Sequence, residues 1–226
     1  MRQLGQMKKS TKNSLFTYTL VIAAFVVVQA LRMGPGVGAM LEGQLIPICA
    51  YIVMALALNL VVGVSGELSL GHAGFMSIGA FAGSALALAL QSTVTLSPLR
   101  LALAMVFGAV IAAALGFLIG IPVLRLNGDY LAIVTLGFGF IIKILAINNP
   151  QITNGAIGLN DIPQQPHLLF WCGLFALLAT GMILQLVWSK YGRMMKAIRD
   201  DEDAAIAMGV NTFRIKTCAF ATSAFF

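Results

Sequence analysis

The segment KYGRMMKAIRDDEDAAIAMGVNTFRIK, residues 190–216, is the one long stretch of this 226-residue chain that hydrocarbon could not accept. It holds six of the fourteen basic residues and, in Asp200, Asp201, Glu202 and Asp203, four of the eight acidic ones. Around it the chain is mostly long apolar runs. With 59% hydrophobic and 10% charged residues and a mean hydropathy of +0.93, it lacks the Lys, Glu, Asp and Arg that would cover a soluble core of this size. A bundle facing lipid needs no such cover. The sequence therefore reads as an all-α, polytopic transmembrane helical bundle, a single domain over residues 1–226, whose charged segment meets water and a partner.

Working outward, six apolar runs precede the segment, at residues 15–31, 45–64, 70–90, 99–124, 130–147 and 168–188. Each is near the ~20 residues that cross ~30 Å of hydrocarbon. A seventh run, 217–226, covers half of that span, so the expectation is six complete spans and a partial seventh. Residues 1–14 carry Arg2, Lys8, Lys9 and Lys12 and no acid. The run that follows exceeds the usual ~7–15 apolar residues of a signal peptide, which favours a retained anchor. With the N-terminus in the cytoplasm, alternate crossings place 65–69, 125–129 and 189–216 inside, and 32–44, 91–98 and 148–167 outside. The excess of Lys and Arg then falls inside, which also accounts for the net charge of +6. No basic groove interleaved with aromatics accompanies that charge, so nucleic acid is not an expected partner. Lys143, near the outer end of the fifth span, reads as a snorkelling side chain.

Three stretches stand apart from plain lipid-facing helix. Residues 63–74, GVSGELSLGHAG, hold four glycines, two serines, one acid and one histidine. They read either as a helix break facing a polar cavity near a translocation path or as a tight turn with a satisfied histidine. Residues 148–167 form a long external connection rich in Asn, Gly and Pro, which serves as a lid or docking surface or is an inert loop. Within the charged segment, acids at 200–203 followed by AAIAM and Gly209 predict a short helix with a left-handed C-terminal cap. Asn211 is placed to cap the next helix. Glycines 79 and 83, and 116 and 120, form GxxxG pairs that imply close helix packing. No nucleophile motif, paired metal ligands or carboxylate pair within a span is found, so no catalytic or metal site is expected. Cys49, Cys172 and Cys218 read as small buried hydrophobes.

The residues resemble the permease subunits of branched-chain amino acid ABC importers, of the LivM type. Four stretches carry the resemblance: ALNL (57–60) leading into GELSLGHAGF (66–75); GDYLAIVTL (128–136); TNGAIGL (153–159); and YGR (191–193) through AIRDDE (197–202) to MGVN (208–211). Asp203, Ala204, Ala205 and Gly209 match the EAAxxxG loop of such importers, with Asp where Glu is usual. Ala219 stands where that pattern has an isoleucine, and family members continue through further spans beyond the point where this sequence stops.

The resemblance implies an inner-membrane importer subunit that is not itself an enzyme. Its partners would be a second permease, two ATP-binding cassette subunits and an external solute-binding protein, with ATP and Mg held by the ATPases and no cofactor by this chain. Asp203, Ala204, Ala205, Met208 and Gly209 would couple to the ATPase. Asn59, Ser65, Glu67, Ser69 and His72 are the candidates for the translocation path, and Thr153, Asn154, Gly155 and Gly158 for an external docking surface or gate. The implied cargo is leucine, isoleucine and valine. The alternatives are urea or a short amide as cargo, or a stand-alone channel or ion-coupled carrier.

Overall fold

The computed structural model describes residues 39–93, 96–126, 128–159 and 168–226, with positions 19, 23, 26 and 27. The basic N-terminus, all but those four positions of the first apolar run, and residues 160–167 of the long connection expected at 148–167 lie outside the described residues. Every described element is helical. Apart from the short helical turns Leu60–Ser65, Pro150–Thr153 and Gly155–Ile157, they are in chain order α1 (Ala39–Asn59), α2 (His72–Ala89), α3 (Ser97–Val123), α4 (Asp129–Asn148), α5 (Leu168–Trp188), α6 (Lys190–Asp200), α7 (Glu202–Ala207) and α8 (Thr212–Phe225). Five described helices are long and apolar enough to cross a membrane: Gly43–Ser65, His72–Ala89, Ser97–Val123, Asp129–Asn148 and Leu169–Trp188. They correspond to the second through sixth apolar runs. The protein is an all-α membrane bundle.

Close approach of helices rests on the glycine pairs. A Cβ on Gly83 would sit 2.9 Å from the carbonyl oxygen of Ala104, and one on Gly108 would overlap the backbone of Gly79, so α2 and α3 meet backbone to backbone. On the other pair, a Cβ at Gly116 would lie 2.5 Å from Ala224 Cβ and one at Gly120 3.3 Å from Phe220, which seats α8 on α3. Phe220 is fully buried there, edge-to-face on Phe75 with ring centres 5.5 Å apart.

The charged segment is more helical than its composition suggests. Residues 190–200 form α6, with Gly192, Met195 and Ile198 on its buried face and Lys190 and Arg193 exposed. Ser189 caps it by accepting from the Gly192 N–H. A side chain at Gly192 would overlap the Val187 carbonyl, so glycine is what lets α6 fold back directly after α5. The short helix expected after the acids is α7: Asp201 Oδ1 accepts from the Ala204 N–H at 3.0 Å. Its end is a Schellman motif, with Gly209 N–H on Ile206 O (2.9 Å), Val210 N–H on Ala205 O (3.0 Å) and Gly209 at φ +82°. Asn211 Oδ1 then accepts from the Arg214 N–H at 3.0 Å and starts α8 at Thr212, five residues before the apolar run from 217.

Candidate functional site

The last turn of the helix that begins as α1 widens. Residues Leu60–Ser65 form a π-type turn, closed by Gly66 in the left-handed conformation (φ +81°), whose N–H reaches back to Val61 O. Such turns leave carbonyls without helical donors and recur at functional positions. Here Arg199, from the end of α6, fills the gap: its Nη1 donates to Gly63 O at 2.8 Å while Nε and Nη2 bond Asp200 Oδ1 at 3.2 and 2.9 Å. A cation at the C-terminal end of a helix is also favoured by the helix dipole.

Residues 66–71 then run without helical structure to the start of α2. The Leu70 N–H donates to Thr135 Oγ1 (3.0 Å) on α4, and Thr135 passes its own proton to Ala132 O (2.9 Å). Gly71 is required there, because a Cβ would overlap the Thr135 carbonyl oxygen. His72 is buried and fully engaged. Ser223 on α8 gives its one hydroxyl proton to Ala57 O (2.5 Å), so His72 Nε2–H donates to Ser223 Oγ (2.5 Å) and Nδ1 accepts from Ser69 Oγ (3.3 Å). Phe75 and Phe220 flank the ring edge-to-face.

Glu67 lies in the same break, and its partner comes from α8. Lys216 Nζ stands 2.7 Å from Glu67 Oε1 and 2.7 Å from Glu202 Oε2, the first residue of α7. The lysine is 7% exposed. Burial pushes its pKa down, but the hydrogen bonds to Glu202 and Glu67 and their charges outweigh burial and hold it above the ordinary lysine value. Beneath this junction, Leu60 and Val64 of the π turn share one apolar cluster with Met195, Ile198, Ala205, Ile215 and Ala219.

Of the five residues expected along a path, Ser65, Ser69 and His72 are buried, Glu67 is salt-bridged and Asn59 is exposed. They belong to the seam between α1, α2 and α8. A separate groove of about 600 Å³ lies between α2 and α4, lined at one end by Leu70, Ala73 and Gly74 and at the other by Lys143, Gly155 and Gly158. The 153–158 turn closes on the end of α4: Thr153 Oγ1 shares its one proton between Ala146 O and Asn149 O, and Asn154, at φ +60°, donates from Nδ2 to Gly158 O at 3.0 Å. Gly155 and Gly158 also take left-handed φ.

Of the residues expected to couple, Ala205 faces inward into the apolar cluster, whereas Asp203, Ala204, Met208 and Gly209 are exposed. Met208 is 84% exposed and Ile206 53%. A cleft of about 560 Å³ between α6 and α7 is lined by residues including Met194, Ala197, Ala204 and Met208. Arg199, Thr135 and Ser223 were not foreseen as parts of this constellation.

A family model described as branched-chain amino acid transport system / permease component matches residues 40–226, which includes the break, both grooves and the whole charged segment. The chain belongs to this permease family. The permease is 36% identical over 213 residues to the high-affinity branched-chain amino acid transport system permease protein LivM of Salmonella typhimurium, covering 78% of this chain and 48% of that protein. The figures for LivM of Escherichia coli are the same. The permease chain thus spans about half the length of the curated relatives it matches, and no solved structure matches it. The four stretches that carried the resemblance fall at the break, at the start of α4 beside it, at the 153–158 turn, and at α6–α7.

Proposed function

We propose that the chain is a transmembrane subunit of an ATP-driven importer in a bacterial inner membrane. In this role it lines the translocation path for branched-chain amino acids, with α6 and α7 in the cytoplasm. The observation that carries this reading is the build of α7. It is capped at both ends, anchored through Ala205 and Glu202, and presents Ile206 and Met208 to the surroundings beside Asp200, Asp201 and Asp203. Four successive carboxylates exclude a lipid-facing role, and a rigid helix with an exposed methionine knob suits the groove of another protein. ATP hydrolysis then resides in the partner ATPase subunits, a second permease completes the pathway, and an external solute-binding protein delivers cargo at the 153–158 turn. The groove between α2 and α4 supports the cargo assignment. Its apolar wall, including Phe81, Leu136, Phe140 and Ile142, matches a branched aliphatic side chain better than urea, which has no apolar group to bury.

Purification from membranes with the candidate ATPase subunits tests the reading. The ATPase is expected to co-purify with the wild-type permease and to be lost with Met208→Asp or Gly209→Arg, both exposed positions. Retention of the ATPase by both variants, or leucine uptake by this chain in the absence of any ATPase, would overturn it. The latter result would instead indicate a stand-alone carrier.

A further inference from the structure

The α6–α7 segment is joined to the α1–α2 break by two cations, one on either side of α7 in sequence. Arg199 stands before α7 and grips Gly63 O of the π turn, and its Cγ occupies the space beside Gly66 where a Cβ would come within 2.6 Å. Lys216 stands after α7 and holds Glu67 of the break and Glu202 of α7 at the same time, 2.7 Å from each. The apolar cluster under them fixes proximity, but apolar contact is non-directional and permits sliding. Paired, largely buried charges are the kind of contact that holds one register. Removing Lys216 would take away the ion pairs that tie the break to α7 while leaving the exposed face of α7, with Ile206 and Met208, unchanged.

We propose that Lys216, assisted by Arg199, is the positioning residue of a transmission joint: it makes the break between α1 and α2 move with α7, so that hydrolysis in the ATPase is converted into rearrangement beside the α2–α4 groove. The break reaches that groove directly, since Leu70 lines it and is tied to Thr135 of α4. The inference rests on the reading of α7 as the ATPase-docking element. It goes further in assigning a task to a contact that makes no approach to the docking face.

The test uses the assembled transporter in proteoliposomes, with radiolabelled leucine outside, and reads leucine transported per ATP hydrolysed. A buried ion pair that only stabilises the fold can be replaced by neutral groups at little cost, provided no charge is orphaned. The double variant Glu67→Gln/Lys216→Met leaves Glu202 as the one unpaired member, on a side chain already 41% exposed. A purely stabilising role predicts that this variant restores both assembly and coupling. The joint predicts normal ATPase retention with leucine per ATP reduced by about fivefold or more, the low end of typical coupling between sites.

Lys216→Arg, which keeps a cation between the two carboxylates, is expected to stay within about twofold of wild type. A ratio within about twofold of wild type in the double variant overturns the joint and leaves the docking assignment standing. Loss of the ATPase from the double variant alone also overturns it, by placing Lys216 in docking. Failure of the wild-type permease to retain the ATPase sinks the docking reading, and the inference with it. If the double variant does not enter the membrane, Glu67→Gln alone decides by the same ratio.

Discussion

Replacing Gly66 with alanine probes the junction most directly, because its cost can be split into two parts. At φ +81° an L-residue pays a backbone cost of about 1–2 kcal/mol. The new Cβ would also lie 2.6 Å from Arg199 Cγ, 3.2 Å from its Cβ and 3.5 Å from its Cα. The first of these can swing away, but the others belong to the helix itself, so relief requires α6 to withdraw or Arg199 to release Gly63 O. Overpacking of this kind adds about 1–3 kcal/mol. The bond from the half-exposed guanidinium adds little once solvent screening is allowed for. A total near 3 kcal/mol corresponds to a fall of roughly 6–12 °C in the melting midpoint of a chain of this size. Gly209→Ala is the internal control. It has the same φ, +82°, with nothing within 4 Å of the new Cβ, so it carries the backbone cost alone. The assay is the thermal midpoint of the detergent-solubilised permease by fluorescence-detected size exclusion. Gly66→Ala is expected to melt well below Gly209→Ala. Equal midpoints would refute the claim that Arg199 is packed against the break.

Thr135→Val keeps shape but removes the acceptor of the Leu70 N–H at a position 1% exposed, so a loss of about 1–3 kcal/mol is expected, whereas Thr135→Ser keeps the hydroxyl and stays within about 1 kcal/mol of wild type. Valine matching wild type in thermal midpoint would show that the break does not depend on this bond. For Lys216 the folded pKa is raised above the ordinary 10.5, so its stabilisation is fully present below that value and is lost as pH rises through the folded pKa. The stability gap between wild type and Lys216→Met should therefore be flat through neutral pH and shrink only in the alkaline range above 10.5. A gap that closes nearer neutrality would show that some other group controls it.

The parts of the fold legible from sequence are those set by local physics. A run of apolar residues spans lipid wherever it occurs, and five of the expected spans appear within a few residues of their expected limits. The caps Gly209 and Asn211 are legible for the same reason, since each satisfies backbone groups within a few positions of itself, whereas Asp201, expected only among the acids of a first turn, is the N-cap of α7. Helix α6 was not foreseen. Its charges suggest a solvated loop, yet Gly192, Met195 and Ile198 recur at intervals of three on one face, and that periodicity was available. The site itself was least legible, because its contacts join residues 136, 149 and 151 positions apart: Arg199 with Gly63, Lys216 with Glu67, and His72 with Ser223.

One signal could have been read from charge alone. Glu67 is the one acidic residue between the second and third apolar runs, and Lys216 immediately precedes the last run. A carboxylate beside the hydrocarbon is costly unless a cation meets it, and Lys216 is the basic residue of the charged segment nearest to an apolar run. The pairing also explains why the break can exist at all. The π turn and the non-helical segment after it leave Gly63 O, the Leu70 N–H and the Glu67 carboxylate at a bundle seam, and these are met by groups from α6, α4 and α8 rather than by their own helix. The α1–α2 break is therefore held in shape by the charged segment. A force that moves α6 and α7 together must either carry the break with it or part the 2.7 Å ion pairs of Lys216 and the 2.8 Å bond of Arg199.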